Sequence, residues 1–283
     1  MSEGRKKLIA IDGNSLFYRA FFAMKPLSTS DGLPTNAVFG LAMMLLKVLE
    51  EKPDYVAVAF DTPEPTFRHE RYKEYKATRR ATPDELIKQA PMARELVRAF
   101  GIPVVEAPGY EADDVIGAMA RQAEREDIDT IIVTGDLDTL QLVSDHIRVM
   151  TTQRGVTDTL IYDRAAVRER FGLDPEQMVD YKGLKGDTSD NIPGVPGIGE
   201  KTAVDLLQRY GTLENVLAHV DDLPDGKAKR ALSQHADLAR LSKFLGAIVT
   251  QLPDPIDLAR YRSREPDYNA LRDLFVRLEF RTL

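Results

Sequence analysis

Nine carboxylates carry the chemistry that this sequence suggests: Asp12, Asp61, Glu111, Asp113, Asp114, Asp136, Asp138, Asp187 and Asp190. Asp136 and Asp138 stand two residues apart in TGDLDTLQL, directly after the apolar run DTIIV. Asp12 ends KKLIAID, Asp61 ends DYVAVAFD, and Glu111, Asp113 and Asp114 follow IPVVEA. Asp187 and Asp190 lie three apart in KGDTSDNIPG, so on a helical turn they would share a face. Each acid alone has an ordinary explanation. Asp12 and Asp61 suit turns or N-caps, and Asp136 and Asp138 suit a polar turn after a buried strand. Acids in a first helical turn complement the macrodipole, and Asp187 and Asp190 suit a solvated loop. That account gives no reason for every strand to end this way. Gathered together, the acids could not all ionise without cations, because mutual repulsion raises carboxylate pKa values. Divalent cations remove that cost, and pairs of them are common machinery for in-line phosphodiester chemistry.

Strands are needed to deliver these acids. KKLIAID, DYVAVAFD, IPVVEA and DTIIVTGD read as buried strands. TNAVFGLAMMLLKVLEEK, TPDELIKQAPMARELVRAFG and YEADDVIGAMARQAERE read as the helices between them, with Pro91 kinking the second. The alternation predicts an α/β fold, a mainly parallel central sheet flanked by helices. Ligands of such sheets bind at the carboxyl ends of the strands. Beyond about residue 160 the segments are short and helical, so we expect an α/β core over 1–160 and a helical region over 161–283.

The 283 residues include no cysteine, which excludes disulfides, thiol nucleophiles and Cys-rich zinc sites. His69, His146, His219 and His235 lack the close spacing of a zinc motif. Any metal would be held by oxygen, which favours Mg²⁺ or Mn²⁺, two or more ions for so many acids. A net charge of −7 speaks against a nucleic-acid partner, but setting the nine acids aside moves it to +2. No apolar run reaches the roughly 18 residues of a membrane span or forms a secretory h-region, so the expected location is cytoplasmic.

Two further stretches suit nucleic acid. FRHERYKEYKATRR interleaves Arg68, Arg71, Lys73, Lys76, Arg79 and Arg80 with Phe67, Tyr72 and Tyr75. Cations meet phosphates and rings stack on bases; an exposed amphipathic helix would look similar. In IPGVPGIGEKTAVDLL, Gly194, Gly197 and Gly199 form a tight hairpin ahead of Lys201 and Thr202 at a helix start. Glycines let backbone N–H groups approach a phosphate, and the helix N-terminus favours the anion.

Five segments, IDGNSLFYRAFFA, FDTPEPTFRHERYKEYKATR, GYEADD, TGDLDTLQL and KGDTSDNIPGVPGIGEKTA, resemble in order the 5′-nuclease family of 5′-3′ exonucleases and flap endonucleases. That family includes the N-terminal domains of bacterial DNA polymerases. The resemblance implies a PIN-like 5′-nuclease fold with a helical arch around 67–90 and a helix-hairpin-helix around 187–210. It implies one metal group on Asp12, Asp61, Glu111, Asp113 and Asp114, and a second on Asp136, Asp138, Asp187 and Asp190. Lys76 of the Tyr75–Lys76 pair would act at the scissile phosphate, helped by Arg79. Arg19 and Lys182 match phosphate-contacting positions, and the hairpin holds K⁺ in relatives. The implied activity is hydrolysis of DNA at 5′ ends and 5′-flap junctions, leaving 5′-phosphate and 3′-hydroxyl, in replication and repair. The implied protein is a monomer, either a stand-alone nuclease or part of a longer chain with a polymerase domain. A PIN-type ribonuclease and a non-catalytic DNA-binding domain are the alternatives. The long basic segment and the hairpin argue against the first, and the complete acid set against the second.

Overall fold

The structure, a computed structural model, describes residues 4–154 and 158–283. Six strands, β1 (Lys7–Asp12), β2 (Tyr55–Ala59), β3 (Val104–Val105), β4 (Asp129–Val133), β5 (Ile147–Arg154) and β6 (Asp158–Tyr162), form one sheet in the order β3-β2-β1-β4-β5-β6. Pairing is parallel from β3 to β5 and antiparallel between β5 and β6. β2 (YVAVA) and β4 (DTIIV) are buried throughout, as strands covered on both faces must be. The chain leaves β1 toward β2 on one side and returns to β4 on the other. That reversal opens a crevice at the carboxyl end of β1.

Helices α1 (Gly13–Ala23), α2 (Asn36–Leu49), α3 (Phe67–Arg71), α4 (Asp84–Ala99) and α5 (Ala112–Arg125) belong to the first half. They are followed by α6 (Arg164–Phe171), α7 (Met178–Lys185), α8 (Glu200–Tyr210), α9 (Leu213–Ala218), α10 (Lys227–Gln234), α11 (Ala236–Gly246) and α12 (Tyr268–Arg277). One face of the sheet packs on α1, α2, α4 and α12, and the other on α5 and apolar residues of 248–261. Helices α7, α8, α9 and α11 share a third core built on Leu184, Leu207, Leu213 and Ala239. Helix α12 returns to the α/β layer: Leu271, Leu274 and Leu278 share a core with Leu86 and Leu96 of α4. Each buried leucine contributes about 1.5–3 kcal/mol.

Three local features differ from the expectation. The pair β5–β6 adds two strands to the four expected; β6 is mostly exposed, so it lacks a strong apolar pattern. The strand expected from IPVVEA shrinks to the two residues of β3. The basic segment is helical only over α3, and residues 73–78 are turns. A continuous helix cannot pass through Lys76, whose φ is +57°.

Candidate active site

Asp12 and Asp61 are held at the crevice by the backbone N–H groups of Ser15 and Ala112. Asp12 ends β1 and caps α1, its Oδ1 accepting the Ser15 N–H at 2.9 Å. Gly13 permits that sharp entry, since a Cβ there would stand 2.6 Å from the Phe60 ring. The Thr134 hydroxyl donates to Asp12 Oδ2 at 2.8 Å and accepts the Asp136 N–H at 3.0 Å, tying the ends of β1 and β4 together. Beyond β2, Asp61 accepts from Asn14 Nδ2 and from the Ala112 N–H, both at 2.7 Å, which joins it to the start of α5. Glu111 is the N-cap of α5.

A cleft of 680 Å³ is lined by Asp12, Asp61, Glu111, Asp113 and Asp136 together with Lys76, Arg79, Arg80, Tyr18 and Phe22. A narrow pocket beside it brings Asp138 and Asp190 to Glu111, Asp113 and Asp136. Asp187 lies on a third hollow with Asp138 and Lys182. A larger hollow, 860 Å³ beside β3, holds none of the nine acids, so chemistry rather than size locates the site.

Burial pushes the Asp12 carboxyl up to about 7, with Asp61 and Asp136 adding repulsion. Burial also pushes Asp113 well above the usual range, reinforced by Asp12, Asp136 and Asp138. Asp138 rises to about 6 by burial despite Lys182. At Asp187 burial acts upward, but Lys182 and Ser189 outweigh it and bring the carboxyl down to about 2. Cationic side chains already stand on four of the acids: Lys76 Nζ lies 2.7 Å from Glu111, Arg79 pairs with Asp190, and Lys182 pairs with Asp138 and Asp187. With those pairs in place, no three acidic or histidine side chains among the described residues form a ready cage for one ion. The donor set nevertheless fits divalent cations. It consists of oxygen, it is costly to charge, and Asp113 Oδ1 is buried without a hydrogen-bond partner.

Family models match the chain along most of its length: residues 7–172 fit the 5′-3′ exonuclease N-terminal resolvase-like domain, and 173–269 the 5′-3′ exonuclease C-terminal SAM fold. The chain belongs to the 5′-3′ exonuclease family. It is 50% identical over 279 residues to DNA polymerase I of Bacillus caldotenax, covering 98% of this chain and 32% of that protein. Thermostable DNA polymerase I of Thermus thermophilus is 44% identical over 283 residues, covering 99% of this chain and 33% of that protein. The chain thus spans about a third of the length of the relatives it matches. Among solved structures, T5 5′-exonuclease with divalent zinc ions bound aligns with a TM-score of 0.74 at 20% identity, over 97% of this chain and 98% of that one. A bacteriophage T5 flap endonuclease complex with DNA and metal ions aligns at 0.73 and 20%, over 97% and 100%.

Within this chain several of the expected site residues are buried against partners of their own. Asp114, expected as a metal ligand, is fully buried and saturated. Its oxygens take both Arg68 nitrogens at 2.7 and 2.8 Å, the Glu111 N–H at 3.0 Å and the Val249 N–H at 2.8 Å. Arg68, expected on DNA, is 2% exposed and also donates to the Leu245 and Ala247 carbonyls. Tyr75 is equally buried, donating to Glu111 at 3.1 Å, and cannot stack on a base. Tyr72 packs half-buried against the cluster of Tyr75, Ile192 and Leu245. Lys182, expected on a phosphate, is buried between Asp138 and Asp187 and bridges them. Gly194 gives its N–H to the Ser242 hydroxyl at 2.9 Å, and a Cβ there would stand 2.4 Å from the Gly186 nitrogen. It serves chain packing, not an anion.

Gly197, Gly199 and Lys201 are exposed, Thr202 is half-buried on the first turn of α8, and Arg19 is half-buried on α1. Asn14, Ser15 and Thr134, which orient the acids, were missed because polar residues beside an aspartate carry no distinguishing sequence signal. Tyr18 and Phe22 were also missed. Both are exposed four residues apart on α1, and that spacing was the available clue.

Proposed function

We propose that the cleft hydrolyses DNA phosphodiesters at 5′ ends and 5′-flap junctions, leaving 5′-phosphate and 3′-hydroxyl. The observation that carries this reading is the convergence of five acids, from strand ends and the start of α5, with Lys76 and Arg79 on one cleft. Asp12, Asp61, Glu111, Asp113 and Asp136 would hold one side of a divalent-metal centre, and Asp138, Asp187 and Asp190 the other. Bound Mg²⁺ or Mn²⁺ would supply an acidified water and a counter-charge for the phosphate. Lys76 and Arg79 exchange their carboxylate partners for the non-bridging oxygens of the phosphate and stabilise the charge that develops there. Tyr18 and Phe22 offer the strand an apolar wall. Gly197, Gly199 and Lys201, with Thr202, meet duplex phosphates without reading sequence, with K⁺ as a candidate companion ion. Arg19 lies on the cleft helix and is assigned to the strand backbone. We divide the molecule into a nuclease core with its arch over 1–160 and a helical region over 161–283.

The full-length relatives suggest a larger role, with this domain beside a polymerase in a cytoplasmic, monomeric protein that processes primers and repairs DNA. The test uses a 5′-flap duplex labelled on the flap strand. Wild-type protein should cut it in Mg²⁺ and not in EDTA, and Asp136→Asn should lose nearly all cleavage. A variant that cuts at the wild-type rate would remove Asp136 from the metal centre.

A further inference from the structure

Among the described residues, five that are not glycine have positive φ: Lys52, Lys76, Asp127, Asn191 and Glu279. Lys52, Asp127 and Glu279 lie just beyond the ends of α2, α5 and α12, where a left-handed residue is an ordinary way to stop a helix. Lys76 (φ 57°) and Asn191 (φ 55°) follow no helix. Such conformations cost energy and persist where the surroundings hold them.

Both residues stand at one junction, and the groups that hold it are visible. The Lys76 N–H donates to the Asp190 carbonyl at 2.9 Å. In return, Asn191 Nδ2 donates to the Glu74 carbonyl at 2.6 Å. That carbonyl also accepts the Ala77 N–H at 3.1 Å, so Asn191 braces the turn that carries Lys76. The loop bearing Asn191 is itself closed by paired bonds of 2.8 and 2.7 Å between Asp187 and Ile192. Ile192 packs with Tyr75, next to Lys76.

We propose that Asn191 is a positioning residue: its amide, donating to the Glu74 carbonyl, holds the left-handed turn that aims Lys76 into the cleft. The proposal rests on the assignment of Lys76 to the phosphate. It gives the loop of Asp187 and Asp190 a second task, since the loop sets acids and lysine together.

Two variants separate side chain from backbone. Asn191→Gly keeps the left-handed conformation and removes the amide. Asn191→Asp also tolerates that conformation but, ionised, cannot donate. Each is made alone and with Lys76→Ala, and single-turnover cleavage of the flap duplex in Mg²⁺, duplex affinity and melting temperature are measured. Each Asn191 variant should slow cleavage roughly tenfold to a hundredfold, the scale of a misplaced reacting group. Affinity and melting temperature should stay near wild type. With Lys76 already removed, the same change should alter the rate by less than about twofold. Equal losses in both backgrounds, or wild-type rates for both variants, overturn the proposal. Slow Lys76→Ala with fast Asn191 variants removes the proposal alone, and fast Lys76→Ala also removes the assignment beneath it. Should Asn191→Gly melt early, Asn191→Asp carries the same comparison.

Discussion

Asp113 and Asp114 are neighbours in the chain with opposite surroundings. Asp114 spreads its charge over Arg68 and two backbone N–H groups. Asp113 faces Asp12, Asp136 and Asp138, and burial with their repulsion lifts its carboxyl well above the usual range. The two should therefore respond differently to substitution. Asp114→Ala takes the bidentate carboxylate from the buried Arg68 guanidinium and leaves it Glu111 at 3.4 Å and two carbonyls, which should cost about 3 kcal/mol of stability. Asp113→Asn removes a charge that is costly to keep, so in EDTA at pH 8 its melting temperature should equal or exceed that of wild type. Cleavage should still fail. Thermal and urea unfolding of both variants check this. An Asp113 variant destabilised as much as the Asp114 variant would place Asp113 in the structural network instead.

The hairpin between α7 and α8 likewise sets its glycines in two different surroundings. Gly194 lies against the backbone of Lys185 and Gly186, whereas a Cβ at Gly197 or Gly199 would meet nothing within 4 Å. Gly194→Ala should cost about 1–3 kcal/mol by overpacking and leave the salt dependence of duplex binding unchanged. Lys201→Ala should leave the melting temperature unchanged and lower the slope of log affinity against log salt by about 1. Affinity measured across a salt series decides between them. A Lys201 variant with the wild-type slope would remove this element from the duplex contact.

At the scale of the whole molecule, the sequence makes some parts legible and hides others for a physical reason. An apolar run ending in aspartate is a local pattern, so β1, β2 and β4 and the acids after them can be read directly. The partner of a charged side chain is not local. Arg68 meets Asp114 across 46 residues and Asn191 meets Glu74 across 117, so neither role shows in its own segment. Arg68 and Tyr75 look like a nucleic-acid surface in a basic, aromatic stretch, yet the fold turns both inward. The fate of Lys182 and Gly194 depends in the same way on what packs opposite them. Helix α12 is evident from its leucine spacing, but its return to α4 is not.

The cleft acids are proposed to gather divalent ions. Crystals soaked in Mn²⁺ test it most directly through anomalous difference density. Mn²⁺ peaks should stand in contact with Asp113 and with Asp12 or Asp136, and none at Asp114. Saturating Mn²⁺ that leaves the cleft without a peak, or that binds Asp114 in place of Asp113, would contradict it.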